Sequence, residues 1–304
     1  MRVWDLSRRQ GAFVLGRHDN LAEAVATSPD GRWIASAGRD GVVNLWAAAA
    51  GRRHASVESG TVRVYRLTFS PDGTRLAAAC HDGAVRIWTV PGAELIHVLR
   101  RERHPVFGVD WLGTDRVLAA SGDGVLSVWS CDDGRLLETV ETGQGAVMSV
   151  ACRADAVMVA TGGEDGTVKV WTAEPLRVVA TLTGHGGEVS DLAWSPDGTA
   201  LASTSGDHEG RVWDVASGQT RVVLRGHKGL VKAVDFSPDG ARLVTSAWEG
   251  EIRMWDAASG ECVLRLRGHA GVVKDLQVTA DGRRIVSVGD DGTLRVWEAG
   301  SGKP

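Results

Sequence analysis

Residues 226–260 read GHKGLVKAVDFSPDGARLVTSAWEGEIRMWDAASG. Val231, Ala233 and Asp235 alternate with Lys232, Val234 and Phe236 over a strand's length, in a composition suited to a pleated, half-buried surface. Ser237-Pro238-Asp239-Gly240 follows as turn chemistry, proline pre-setting φ and glycine accepting the positive φ that closes a hairpin. A second strand spans about 242–246, Glu249-Gly250 turns, and 251–255 is a third strand ending in Trp255. Ala258-Ser259-Gly260 turns again before a fourth strand over about 261–266. The unit is therefore a four-stranded antiparallel meander.

The same unit recurs along the chain. Trp4, Trp46, Trp88, Trp129, Trp171, Trp213, Trp255 and Trp297 stand 42, 42, 41, 42, 42, 42 and 42 residues apart. The turn string returns at Ser28-Pro29-Asp30-Gly31, Ser70-Pro71-Asp72-Gly73 and Ser195-Pro196-Asp197-Gly198. The single 41 falls in the third repeat, where Leu112-Gly113-Thr114-Asp115 is one residue shorter. A fixed period of this length marks one supersecondary unit stacked many times. One such sheet cannot bury both faces, so the copies pack face to face around an axis.

These residues resemble the WD-repeat (WD40) β-propeller family over essentially the whole chain. Gly-His stands at 184–185, 226–227 and 268–269, and Trp-Asp at 4–5, 213–214 and 255–256. The fold class expected is all-β: a seven-bladed propeller of four-stranded antiparallel blades, one domain over 1–304. Three-strand sets precede the seven tryptophans from Trp46 to Trp297, and each fourth strand lies in the linker before the next repeat. The last set has no strand after it, only the turn Gly300-Ser301-Gly302. Residues 12–15 are expected to supply that strand and close blade 7, which leaves no free sheet edge. Residues 1–5, MRVWD, copy Arg295-Val296-Trp297 and have no natural place.

The resemblance implies a buried hydrogen-bonded quartet in each complete repeat: His, then Ser or Thr, then an acid in the turn, then Trp. By matching position these are His18, Ser36, Asp40 and Trp46; His185, Ser203, Asp207 and Trp213; His227, Thr245, Glu249 and Trp255; and His269, Ser287, Asp291 and Trp297. An imidazole can bridge a carboxylate and a hydroxyl while the indole N–H supplies a further donor. Each bond contributes roughly 1 kcal/mol net. The middle repeats depart from the pattern. Repeat 2 has Gly60 and Ala78 at the His and Ser positions, repeat 3 has Glu102 and Ala119, and repeat 4 keeps Thr161 and Asp165 but has Gly143 for His.

The family commonly docks partners on the face carrying the turn after the second strand. Carried over by position, the candidate contact residues are Arg39, Arg63, Tyr65, His81, Phe107, Met148, Lys232, Trp248 and Lys274. They include the only tyrosine of the chain, and Tyr, Trp and Arg dominate binding energy at interfaces. Tyr65, Phe107 and Met148 fall in consecutive repeats and can form one apolar arc. The other reading is that these rings pack between blades or plug the channel.

No catalytic set, cofactor or metal is expected. The quartets account for four of the histidines, and Asp207-His208-Glu209 reads as a solvated turn. Gly300-Ser301-Gly302-Lys303 lacks the Ser/Thr and the following helix of a phosphate loop. Cys80, Cys131, Cys152 and Cys262 form no CxxC, which argues against zinc or a disulfide framework. The net charge of -4 supplies no field for nucleic acid or an anionic membrane surface. With no long apolar run and no signal peptide, a cytoplasmic, monomeric propeller is expected. Its expected function is a non-catalytic scaffold for a protein or peptide partner. The alternative is a regulatory or sensor module of a larger kinase or NTPase chain, bacterial if the preference for arginine over lysine reflects a GC-rich genome.

Blades 2 to 4, lacking complete quartets, are expected to rely more on apolar packing and to open locally more often than blades 5 to 7. Amide hydrogen exchange measures this: faster exchange in blade 2 than in blade 5 is expected, and equal protection would overturn it.

Overall fold

A computed structural model describes residues 12–61 and 63–298. The MRVWD segment and the turn at 300–302 lie outside the described residues. Among those described, 28 strands and no helix form seven four-stranded antiparallel sheets, the blades of a propeller. No helix of the described residues is long and apolar enough to cross a membrane.

Six blades are simple meanders of consecutive strands. Blade 1, for example, runs Ala22–Thr27, Trp33–Gly38, Val42–Ala47 and Arg52–Glu58 from the channel outward. Blade 7 is composite. Its three inner strands come from the C-terminal end, and Ala12–Arg17 pairs antiparallel with Thr293–Glu298, from Ala12 opposite Trp297 to Arg17 opposite Thr293. The closing strand is thus the one expected from sequence, two residues longer.

Alternation along the strands explains the core. Apolar side chains of neighbouring blades interleave, as where Leu45 of blade 1 packs in one cluster with Leu67, Phe69 and Trp88 of blade 2. The second strands carry small residues, such as Ala77, Ala78 and Ala79, all fully buried, which lets the sheets approach closely. The seam between the chain ends is filled by Trp46 against Val286, Val288 and Leu294. The Ser-Pro-Asp-Gly turns work as expected. Ser28 Oγ donates to Asp30 at 2.6 Å and accepts from Trp33 N at 2.9 Å, while Gly31 takes φ +70°.

One irregularity recurs with consequence for function. The ladder between first and second strands slips after the first residue of every blade, at Ala22/Ala24, Val64/Arg66, Val106/Gly108, Val147/Ser149, Val189/Asp191, Val231/Ala233 and Val273/Asp275. A bulge leaves its extra residue unpaired and re-aims that side chain. The extra residues are Glu23, Tyr65, Phe107, Met148, Ser190, Lys232 and Lys274.

Gly16 tests the closing seam. A Cβ built there would lie 2.0 Å from Trp46 Cη2, so Gly16→Val should force the closing strand off the indole. Overpacking of this kind costs about 1–3 kcal/mol. Urea denaturation should show a loss in that range; unchanged stability would mean that the closing strand does not bear on Trp46.

Candidate functional site

The quartets come together in blades 1, 5, 6 and 7. His18 Nδ1 lies 2.9 Å from Asp40 and its Nε2 2.8 Å from Ser36 Oγ, which also accepts from Trp46 Nε1 at 3.0 Å. The corresponding His distances are 2.9 and 2.7 Å at His185, 2.6 and 2.8 Å at His227, and 2.9 and 2.8 Å at His269. Trp213, Trp255 and Trp297 each donate to their hydroxyl at 2.8 Å. With Nδ1–H donating to the carboxylate, Nε2 is left to accept from the hydroxyl, so both ring nitrogens are used. Burial lowers the pKa of His185, His227 and His269 against the pull of their acids. Burial would raise Asp207, but donors from Gly186 N and His185 hold it low. His227, Glu249 and Glu251 lie close enough to share an ion. The His227 ring has no free lone pair, however, and Glu251 is gripped by Arg253 and Arg267 at 2.7 and 2.9 Å.

Blades 2 to 4 differ from the sequence expectation, because polar groups take over where the quartet is missing. In blade 4 the fully buried Gln144, one residue after Gly143, replaces the histidine. Its Oε1 accepts from Thr161 Oγ1 at 2.6 Å, and Thr161 accepts from Trp171 Nε1 at 2.9 Å. In blade 2 Arg86 holds Asp82 bidentately at 2.9 and 2.7 Å. Gly60, at the histidine position, leaves room for that guanidinium, whose Nη2 would lie 3.4 Å from a Cβ there. In blade 3 Arg101 pairs with Asp123, and Ser127 accepts from Trp129 Nε1 at 3.1 Å. These blades therefore hold polar contacts as well as apolar ones, buried at Thr161 and Ser127 and partly exposed at the two ion pairs. The available signals were an amide beside Gly143 and a cation two residues before Trp88.

The bulged side chains converge on the upper end of the channel. Arg63, Tyr65, Phe107, Met148, Lys232 and Lys274 all line one cavity of about 290 Å³. Tyr65 is its centre: its ring meets Phe107 edge-on at 5.0 Å, Arg63 lies 4.3 Å above it, and its hydroxyl is 2.9 Å from His81 Nδ1. Tyr65, Phe107 and Met148 are half-buried, and each lines the cavity at the mouth. Arg39 and Arg63 share the buried carboxylate of Glu23. Lys232 pairs with Glu188 at 3.6 Å and Lys274 with Asp290 at 3.3 Å. Arg39 and His81 thus reach the mouth through Glu23 and Tyr65. Trp248 does not line this cavity; 51% exposed, it stands at the rim of blade 6 over Gly229.

Sequence reading missed the floor of this cavity. Arg66 crosses the channel from blade 2 to Asp191 of blade 5 at 2.9 Å and to Asp275 of blade 7 at 3.1 Å. Both carboxylates also stitch adjacent blades. Asp191 accepts from Val234 N and Asp275 from Val25 N, each at 3.0 Å. Asp110 and Asp235 do the same to Cys152 N and Val278 N, at 2.7 and 2.8 Å. Burial raises the pKa of all four aspartates, Asp235 to about 7 and Asp275 to about 6, with the charge of Asp191 adding to both. Arg66 also lines a second cavity, of about 240 Å³, toward the opposite end, so it partitions the channel. The signal in the sequence is weak: Arg66 is the one cation at its inner-strand position, where the other blades have Ala24, Gly108, Ser149, Asp191, Ala233 and Asp275.

Comparison with known proteins agrees with this architecture. The family described as WD domain, G-beta repeat, matches residues 12–47, 53–89, 93–130, 134–172, 176–214, 218–256 and 260–298. Each matched segment joins the outer strand of one blade to three strands of the next, the same offset that closes the ring. The chain is 42% identical over 55 residues to the small ribosomal subunit protein RACK1 of Glycine max, covering 18% of this chain and 17% of that protein. It is 44% identical over 52 residues to small ribosomal subunit protein RACK1z of Oryza sativa subsp. japonica, covering 17% and 15%. The chain thus spans less than a fifth of the length of these relatives.

Replacing Arg66 by methionine would strand two buried carboxylates. Breaking a buried ion pair from one side costs about 3–5 kcal/mol. The raised values of Asp235 and Asp275 mean that the folded state binds more protons than the unfolded chain between their ordinary 3.8 and about 6–7. Their burial penalty is therefore present above pH 7 and is relieved as the pH falls toward 4. Losing Arg66 enlarges that penalty. Arg66→Met should cost several kcal/mol at pH 8 and clearly less at pH 5, each against wild type at the same pH, which cancels the titration of the histidines. An equal deficit at both pH values would contradict the cross-channel pairing.

Proposed function

Given that this chain belongs to the WD40 repeat family, we propose that it is a non-catalytic scaffold that docks a protein or peptide on the upper face. One observation carries the docking face: six candidate side chains from five blades surround a single mouth, with Tyr65 held by Arg63, Phe107 and His81. A ring fixed by its neighbours loses little freedom on binding, so less of its contact energy is cancelled by ordering. Trp248 adds an exposed aromatic on the same side of blade 6. The absence of a catalytic role is supported by how the titratable groups are engaged. Both nitrogens of each quartet histidine are bonded, and the channel carboxylates each accept from backbone N–H groups. The acid, imidazole and hydroxyl of each quartet do stand in line, but the hydroxyls of Ser36, Ser203, Thr245 and Ser287 are buried and each also accepts from a Trp Nε1–H, so none is open to a substrate.

The test is an affinity pull-down from native lysate, read by mass spectrometry, comparing wild type with Tyr65→Ala/Phe107→Ala/Trp248→Ala at matched Tm. A partner retained by wild type and lost from the variant is expected, with at least a tenfold weaker Kd, since truncation of hot-spot aromatics costs about 2 kcal/mol or more. An unchanged partner list would move the site to the lower face or the outer edge. Recovery of ribosomal proteins by wild type alone would bring the plant relatives' setting to this chain.

A further inference from the structure

We propose that the upper mouth is a blind, charge-neutral socket that receives one large, uncharged apolar side chain of a docking peptide. The inference rests on the upper-face reading above and names what enters it.

Three observations carry it. The socket has a floor, because Arg66 spans the channel to Asp191 and Asp275 and belongs to both the upper and the lower cavity. A ligand group therefore ends at the guanidinium and does not thread the channel. The upper volume is about 290 Å³. That is the low end of the range for small-molecule sites, and it suits a side chain better than a helix or a cofactor.

The walls differ in kind. Tyr65, Phe107 and Met148, on consecutive blades 2 to 4, present an aromatic edge-to-face pair and a thioether. Thioethers and aromatic faces adapt to apolar groups of varied shape. Across the mouth stand Lys232 and Lys274, tied to Glu188 and Asp290.

The charges at the mouth are paired, the arginines by hydrogen bonds and the lysines by longer contacts of 3.6 and 3.3 Å. Arg63 is held by Glu23, Arg66 by two aspartates, and each lysine by its own acid. A charged ligand group would have to displace one of these partners and strand it in a half-buried site, which is costly. An apolar side chain needs no displacement. It removes ring and thioether surface from water and leaves every pair intact.

The experiment selects a random displayed peptide library on the folded protein and counter-selects on Met148→Glu. Met148 is half-buried at a bulge, so that variant should fold, which a thermal melt checks. A conservative variant, Met148→Leu, keeps the wall apolar. The expected result is a family of peptides sharing one Leu, Met, Phe or Trp. Alanine at that residue should weaken binding at least tenfold, as should Met148→Glu, whereas Met148→Leu and added salt should change it less than threefold. A shared acidic or basic residue with steep salt dependence would overturn the neutral socket while leaving the upper-face reading standing. Peptides indifferent to Met148→Glu and to Tyr65→Ala/Phe107→Ala/Trp248→Ala would overturn both, and a library yielding no binder would overturn the socket.

Discussion

The pairing of Ala12–Arg17 with Thr293–Glu298 closes a ring of seven sheets. Each blade buries its faces only against its two neighbours, so an open array would leave two apolar sheet faces and an unpaired edge in water. Closure removes both faces at once. It also sets the geometry of the channel, because the inner strands of seven equal units can lie at one radius only if the ring is complete. Trp46 at the seam and Gly16 beneath it show how tight that closure is.

From closure follows the character of the channel. Inner strands from distant parts of the chain are brought face to face, and their polar residues meet in a narrow space. The protein meets the resulting electrostatic demand in two ways. Aspartates accept from the backbone of the next blade, and Arg66 neutralises two of them across the axis. The bulge at the start of each inner strand supplies the other half of the design. It turns one side chain per blade toward the mouth, so the upper face is built from seven independent choices of residue on one backbone frame. Function can vary there without disturbing the packing between blades.

The quartet has a wider meaning than its sequence signature. What each blade needs is a partner for its turn acid and, where one is present, for the hydroxyl that meets the indole. Histidine serves both in blades 1, 5, 6 and 7. Gln144 serves the hydroxyl in blade 4, and Arg86 and Arg101 serve the acids in blades 2 and 3. Buried polar groups left unpaired cost more than their bonds contribute when made. A blade that loses its histidine therefore keeps some other partner for the groups that remain. Gly60 illustrates the point, since Arg86 lies against the position where the histidine would stand.

The fold was legible in the sequence because it rests on local, repeated signals. Tryptophan spacing, the Ser-Pro-Asp-Gly turns and alternation over five or six residues each act within one blade, and the count of three-strand sets pointed to residues 12–15 as the strand that closes the last one. The quartet geometry was legible for the same reason: His185, Ser203, Asp207 and Trp213 lie within one repeat. The candidate mouth was legible as a set of positions, while its ion pairs were not, because Glu23 and Arg63 belong to different blades. Only the tertiary structure decided that Arg66 meets Asp275, 209 residues away, and that the two divide the channel. That contact depends on ring closure, on strand radius and on which residues face the axis, and no local pattern encodes the distance between opposite sides of a ring.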